Sequence, residues 1–132
     1  MDSLKKLKIL LVEDEEDLRS VIELFFGQAF EVTSVGSAHA AMEFIQSNAP
    51  IDLLMVDFHL KGTDLKDGLD VTQVMRNKHP TAPVLLASGS SPEDNPRIQE
   101  LLALPGTQFL RKPFNSSTLK KAIHQMGLRP SS

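Results

Sequence analysis

A chain of 132 residues suits one domain with a real core, and 41% hydrophobic with 23% charged residues is the composition of an ordinary globular protein. The absence of cysteine excludes disulfides and thiolate metal sites, and a net charge of −3 gives no global support to binding nucleic acid by phosphate neutralisation. The longest apolar runs are far too short to cross a bilayer, so the expectation is a cytoplasmic protein with neither a membrane nor a nucleic acid as partner.

The N-terminus MDSLKKLKILLVEDEED sets basic residues before apolar ones, as a signal peptide does. Its apolar run ILLV is only four residues long and ends in acids, so residues 7–12 read as a first strand after a loose lead of residues 1–6. Leu18, Val21, Ile22 and Phe25 then fall at i, i+3, i+4 and i+7, one face of a helix that Gly27 ends. FEVTSV is the second strand. Ser37 is placed to cap the next helix, which Ala38, Ala41, Met42 and Ile45 line on one side.

DLLMVD is the third strand, with a polar loop HLKGTDLKDG behind it and a helix marked by Val71, Val74 and Met75. APVLLAS is the fourth strand. The proline-rich stretch SSPEDNPRIQELLALPG leaves room for one short helix, from about Pro96 to Ala103. TQFLRKP is the fifth strand. Asn115 can cap a last helix carrying Leu119, Ala122, Ile123 and Met126 on one face and stopped by Gly127. The single domain is expected over residues 7–127, with a tail of residues 128–132.

Strict strand–helix alternation implies right-handed crossovers and a parallel sheet covered by helices on both faces, a three-layer α/β sandwich. Burial on both faces accounts for the continuous rather than alternating apolar runs. Ligands of such sheets sit outside the carboxyl ends of the strands. Those ends are informative here: Glu13 and Asp14 after the first strand, Asp57 after the third, Ser88 after the fourth, Lys112 and Pro113 after the fifth. Gly36, after the second, is uninformative.

Three clustered carboxylates repel one another unless a cation intervenes, and a hard divalent ion such as Mg²⁺ suits oxygen ligands. Lys112 adds a point charge for an incoming anion and Ser88 a hydroxyl. This is equipment for phosphoryl transfer onto an aspartate. Glu13-Asp14 alone is equally well a solvated helix start, and Ser88 in SGSS is also good turn chemistry; Asp57 and Lys112 decide for the site. The four histidines are scattered without metal spacing, so none is assigned as a side-chain ligand, and Lys120-Lys121 reads as the wet face of the last helix.

ILLVEDEED, LLMVDFHL, PVLLASGS and FLRKPF, in this order and spacing, resemble the receiver domain of two-component response regulators over nearly the whole chain. The resemblance implies a flavodoxin-like (βα)5 fold, five parallel strands in the order 2-1-3-4-5. It implies Asp57 as phosphoacceptor, with Mg²⁺ held by Glu13, Asp14, Asp57 and the backbone carbonyl of His59. Lys112 and Ser88 then stabilise the phosphoryl group, Ser88 and Phe109 form the switch, and the Lys112–Pro113 peptide is cis.

The implied partners are a sensor histidine kinase or histidine phosphotransfer protein, and a downstream protein docking on the face of helix four, strand five and helix five. The implied role is a signalling switch rather than an enzyme. The sequence departs from the family pattern in Glu13 where Asp is commoner, Ser88 where Thr is frequent and Phe109 where Tyr is frequent. It also has about three extra residues before Gly68. Two rival readings are a small Mg²⁺-dependent phosphatase with an aspartate nucleophile, and an interaction module independent of phosphorylation.

Overall fold

The computed structural model describes residues 6–27, 29–58, 68–89 and 91–128. Five strands and five helices alternate: β1 (Lys8–Val12), α1 (Glu16–Phe26), β2 (Glu31–Val35), α2 (Ala38–Gln46), β3 (Leu53–Asp57), α3 (Gly68–Lys78), β4 (Val84–Ser88), α4 (Pro96–Leu102), β5 (Thr107–Arg111) and α5 (Ser116–Gln125). A 3₁₀ turn over Pro92–Asp94 precedes α4 and was not expected from the sequence. All strand pairs are parallel, in the order β2-β1-β3-β4-β5. This is the three-layer architecture that the alternation predicts. Among the described residues no helix is long and apolar enough to cross a membrane.

Strand periodicity of two divides the core between the faces of the sheet. Leu10, Val12, Leu54, Val56, Val84 and Leu86 point to one side, where α2, α3 and α4 bring Ala41, Ile45, Val71, Met75, Ile98 and Leu101. Ile9, Leu11, Leu53, Met55 and Leu85 point to the other, against Ile22 and Phe26 of α1 and Leu119, Ala122 and Ile123 of α5. Every residue of β3 and β4 is buried, whereas the edge strand β2 is only partly so.

The caps fall where side-chain chemistry places them. Ser37 Oγ accepts from the Ala40 N–H at 3.1 Å. Asn115 and Thr118 form a reciprocal capping box at the start of α5. Gly127 stops the same helix at φ +82°, a left-handed conformation that only glycine adopts without strain. Asn95 caps α4 from just before Pro96, and the helix ends one residue short of the expected Ala103.

The expected face of α1 is corrected. Ile22 and Phe26 are its buried residues, Leu18 and Phe25 pack only partly, and Val21 lies 41% exposed beside Leu24 at 82%. The rotation follows from Phe26, whose ring meets Phe30 edge-on at 5.2 Å. With the i, i+4 pair Ile22 and Phe26 centred on the sheet, Val21 is carried to the helix flank. The correction is testable by truncation on this one helix. Phe26→Ala should cost about 3–5 kcal/mol, while Leu24→Ala should stay within about 0.5 kcal/mol, both read from urea denaturation at low protein concentration. Equal losses at the two positions would contradict the corrected face.

Candidate functional site

The sheet ladder runs one residue past β1, β3 and β5 and so fixes the rim. The Glu13 N–H donates to the Val35 carbonyl at 3.1 Å, the Phe58 N–H to Ala87 at 2.9 Å and the Lys112 N–H to Ser88 at 2.9 Å. Glu13, Asp57 and Ser88 are buried at this rim, with Glu13 only 2% exposed and Ser88 fully enclosed.

Lys112 reaches over the sheet from β5. Its Nζ lies 2.9 Å from Glu13 Oε1 and 3.0 Å from Asp57 Oδ2. Carboxylate oxygens of Glu13, Asp14 and Asp57 all lie within 4.8 Å of one another. The Lys112–Pro113 peptide is cis. Asp57 pairs in register with Ala87, and Ser88 continues β4 beside Arg111. Phe109, two residues earlier on β5, is partly buried against the core on the α4 side. His59, whose carbonyl was expected in the metal shell, lies outside the described residues, as does the lengthened loop behind Asp57.

The electrostatics of this cluster are unbalanced. Burial, reinforced by the charge of Asp57, pushes the Glu13 carboxyl up to about 7, against the opposing hydrogen bonds from Lys112 and from the Glu15 N–H at 3.1 Å. Burial alone would lower Lys112, yet hydrogen bonds from its ammonium to Glu13 and Asp57 outweigh it and raise the lysine above its ordinary range. Among the described residues, the one ammonium of Lys112 does not match the charge of the three carboxylates. The remaining negative charge, presented entirely by hard oxygen donors, fits a divalent cation of the Mg²⁺ class.

Sequence reasoning missed several supports. Arg19 of α1 donates from Nη1 to the Glu13 carbonyl at 2.8 Å. It does so through space left by Gly36, where a Cβ would stand 2.7 Å from that nitrogen. Gly68 at the start of α3 lies against the end of β3: a Cβ there would meet Phe58 Cα at 2.8 Å and the Asp57 carbonyl at 2.9 Å. The buried Thr72 Oγ1 donates to the Gly68 carbonyl at 2.7 Å and holds that turn. Arg97, in the first turn of α4, sits over the Phe58 ring at 5.8 Å. Two glycines were the available signal, but what they make room for is visible only in three dimensions.

The sequence model of the response regulator receiver domain matches residues 9–124. The chain belongs to that family. A crystal structure of a response regulator receiver protein from Sinorhizobium medicae superimposes with a TM-score of 0.80 at 31% identity, covering 93% of this chain and 95% of that one. The receiver domain of NtrX from Brucella abortus gives 0.76 at 26% identity, over 89% and 96%.

Among curated proteins, the transcriptional regulatory protein CpxR of Escherichia coli is 32% identical over 88% of this chain and 47% of its own length. A putative NtrX-like response regulator of Rickettsia bellii is 25% identical over 86% of this chain. The chain spans about a quarter of that relative's length, 23%. The fold is thus the flavodoxin-like receiver fold. The function class is the phosphoacceptor receiver of two-component systems, a family of signalling switches that binds Mg²⁺ at an acidic pocket.

Lys112 is the sole ammonium that reaches both buried acids among the described residues. Replacing it with Met should therefore cost about 2–4 kcal/mol, because two buried acids lose their cation. Urea denaturation at pH 8 in a chelator reads this directly, and unchanged stability would contradict the balance described.

Proposed function

We propose that this receiver takes up a phosphoryl group on Asp57 from the phosphohistidine of a partner protein, a sensor histidine kinase or a histidine phosphotransfer protein. The observation that carries the reading is the placement of Lys112 Nζ, 2.9 Å from Glu13 and 3.0 Å from Asp57, beside three mutually close carboxylates. In this reading Glu13, Asp14 and Asp57 hold Mg²⁺, which when bound neutralises charge on the phosphoryl oxygens. An Asp57 oxygen attacks phosphorus in line, an O–P bond forms, the N–P bond of the phosphohistidine breaks, and the imidazole leaves with the electron pair.

Lys112 follows the charge from Asp57 to the phosphoryl group, since its ammonium is already within hydrogen-bond distance of the attacked carboxylate. Ser88 supplies a hydroxyl from the adjacent strand end. Movement at Ser88 alters the packing of Phe109, and the face of α4, β5 and α5 changes shape for a downstream protein. The change is a population shift, so the phosphoryl group must contact the active state better than the resting one. A donor kinase that draws on ATP implies a cytoplasmic setting, and the receiver unit is taken as residues 7–127.

The family match and the lysine–carboxylate geometry favour this reading over a phosphatase. Incubation with a small phosphodonor and Mg²⁺ tests it. A stable mass gain of one phosphoryl group is expected, lost in Asp57→Asn and lost on chelation of the metal. Rapid multiple turnover of the donor would point to a phosphatase, and no modification at all would overturn the proposal. For the switch, Ser88→Ala should still accept the group but lose most of the phosphorylation-dependent NMR shift changes along β5 around Phe109. Shift changes as large as in the unmodified sequence would remove Ser88 from the switch.

A further inference from the structure

Glu13 is tied from four different parts of the fold. Its N–H donates to the Val35 carbonyl at the end of β2. Its Oε2 accepts from the Glu15 N–H and its Oε1 from Lys112 Nζ. The fourth contact joins a charged donor to a neutral acceptor: Arg19 Nη1 donates to the Glu13 carbonyl at 2.8 Å. That carbonyl belongs to the peptide joining Glu13 to Asp14, and a peptide is a rigid plane. Fixing its oxygen fixes the plane from which the Asp14 side chain departs. Asp14 lies in a bend between β1 and α1, outside both, and Glu15, the N-cap residue of α1, makes no side-chain capping bond. Arg19 supplies the missing restraint. Its own N–H donates to the Glu15 carbonyl at 3.0 Å, so the first turn of α1 carries the side chain.

Gly36 completes the arrangement from the end of β2. The three atoms nearest to a Cβ built there all belong to the guanidinium, Nη1 at 2.7 Å, Cζ at 3.5 Å and Nη2 at 3.9 Å. Gly36 does not have a positive φ, so glycine gives room for Arg19 here rather than a turn. Among the described residues Arg19 forms no ion pair. Its hydrogen bond goes to the backbone of an acidic site and not to one of the carboxylates.

We propose that Arg19, seated on Gly36, is a positioning residue for Mg²⁺ binding: its bond to the Glu13 carbonyl sets where the Asp14 carboxylate stands relative to those of Glu13 and Asp57. This role rests on the reading of these three acids as the metal site, and its sign is opposite to that of charge alone. A guanidinium acting through its charge repels a divalent cation, so removing it tightens binding. A guanidinium acting through the carbonyl loosens binding when it is removed.

Titration of the full chain with Mg²⁺ alone, followed by amide NMR, tests this without phosphorylation. Arg19→Met should weaken Mg²⁺ binding about 10-fold. Gly36→Ala keeps the charge but drives the guanidinium from its seat, and should weaken binding by a similar factor. The double change should be no weaker than Arg19→Met alone, because both act through one contact. In both metal-free single variants the Asp14 amide nitrogen, which shares its peptide with the Glu13 carbonyl, should shift. Affinity unchanged or tightened in Arg19→Met overturns the proposal, and so does full additivity in the double change. Asp14→Asn separates this role from the reading beneath it and should remove most of the binding. If that variant binds Mg²⁺ as the unmodified chain does, or if the unmodified chain binds none, the metal-site reading falls and the proposal falls with it.

Discussion

The ammonium of Lys112, held between the carboxylates of Glu13 and Asp57, is the interaction on which the site depends. It exists because a parallel sheet delivers the ends of all its central strands to one rim, and because those ends are buried enough to make charge expensive. Among the described residues Lys112 is the one ammonium against Glu13 and Asp57, and burial together with the charge of Asp57 pushes the Glu13 carboxyl up to about 7. Such a site favours whatever brings positive charge to it. In the proposed function it also gives an incoming phosphoryl group a cation already within hydrogen-bond distance of the attacked carboxylate.

The backbone around this pair is braced on both sides. Arg19 ties the Glu13 carbonyl to α1, and Gly68 lets α3 start almost in contact with Asp57 and Phe58. Phe58 in turn lies under Arg97 on the first turn of α4. The residue after Asp57 thus touches the helix whose displacement the proposed switch requires, and α4 is only seven residues long. A short helix with few turns to repack is a low-energy element to move.

Much of this was legible in the sequence, and for identifiable reasons. Strands buried on both faces write continuous apolar runs, so β1, β3 and β4 stood out, and the acids, serine and lysine at their ends could be read as one rim. Ser37 and Asn115 named their helices by capping chemistry. The face of α1 was misjudged at Val21 and lacked Phe26, while Leu18, Ile22 and Phe25 do pack against the core. Periodicity cannot tell two neighbouring stripes apart when both are apolar; the contact with Phe30, from beyond the helix, decides. Arg19, Gly36 and Gly68 were illegible for a related reason, because a glycine's role is the atom that approaches it.

The most direct test of the central claim is a crystal structure of the protein soaked with Mg²⁺ and a beryllofluoride mimic of the phosphoryl group. The account predicts the mimic on an Asp57 oxygen, a metal ion among Glu13, Asp14 and Asp57, and Lys112 turned onto the mimic. A pocket without either species, with Lys112 and Asp57 pointing away from each other, would contradict it.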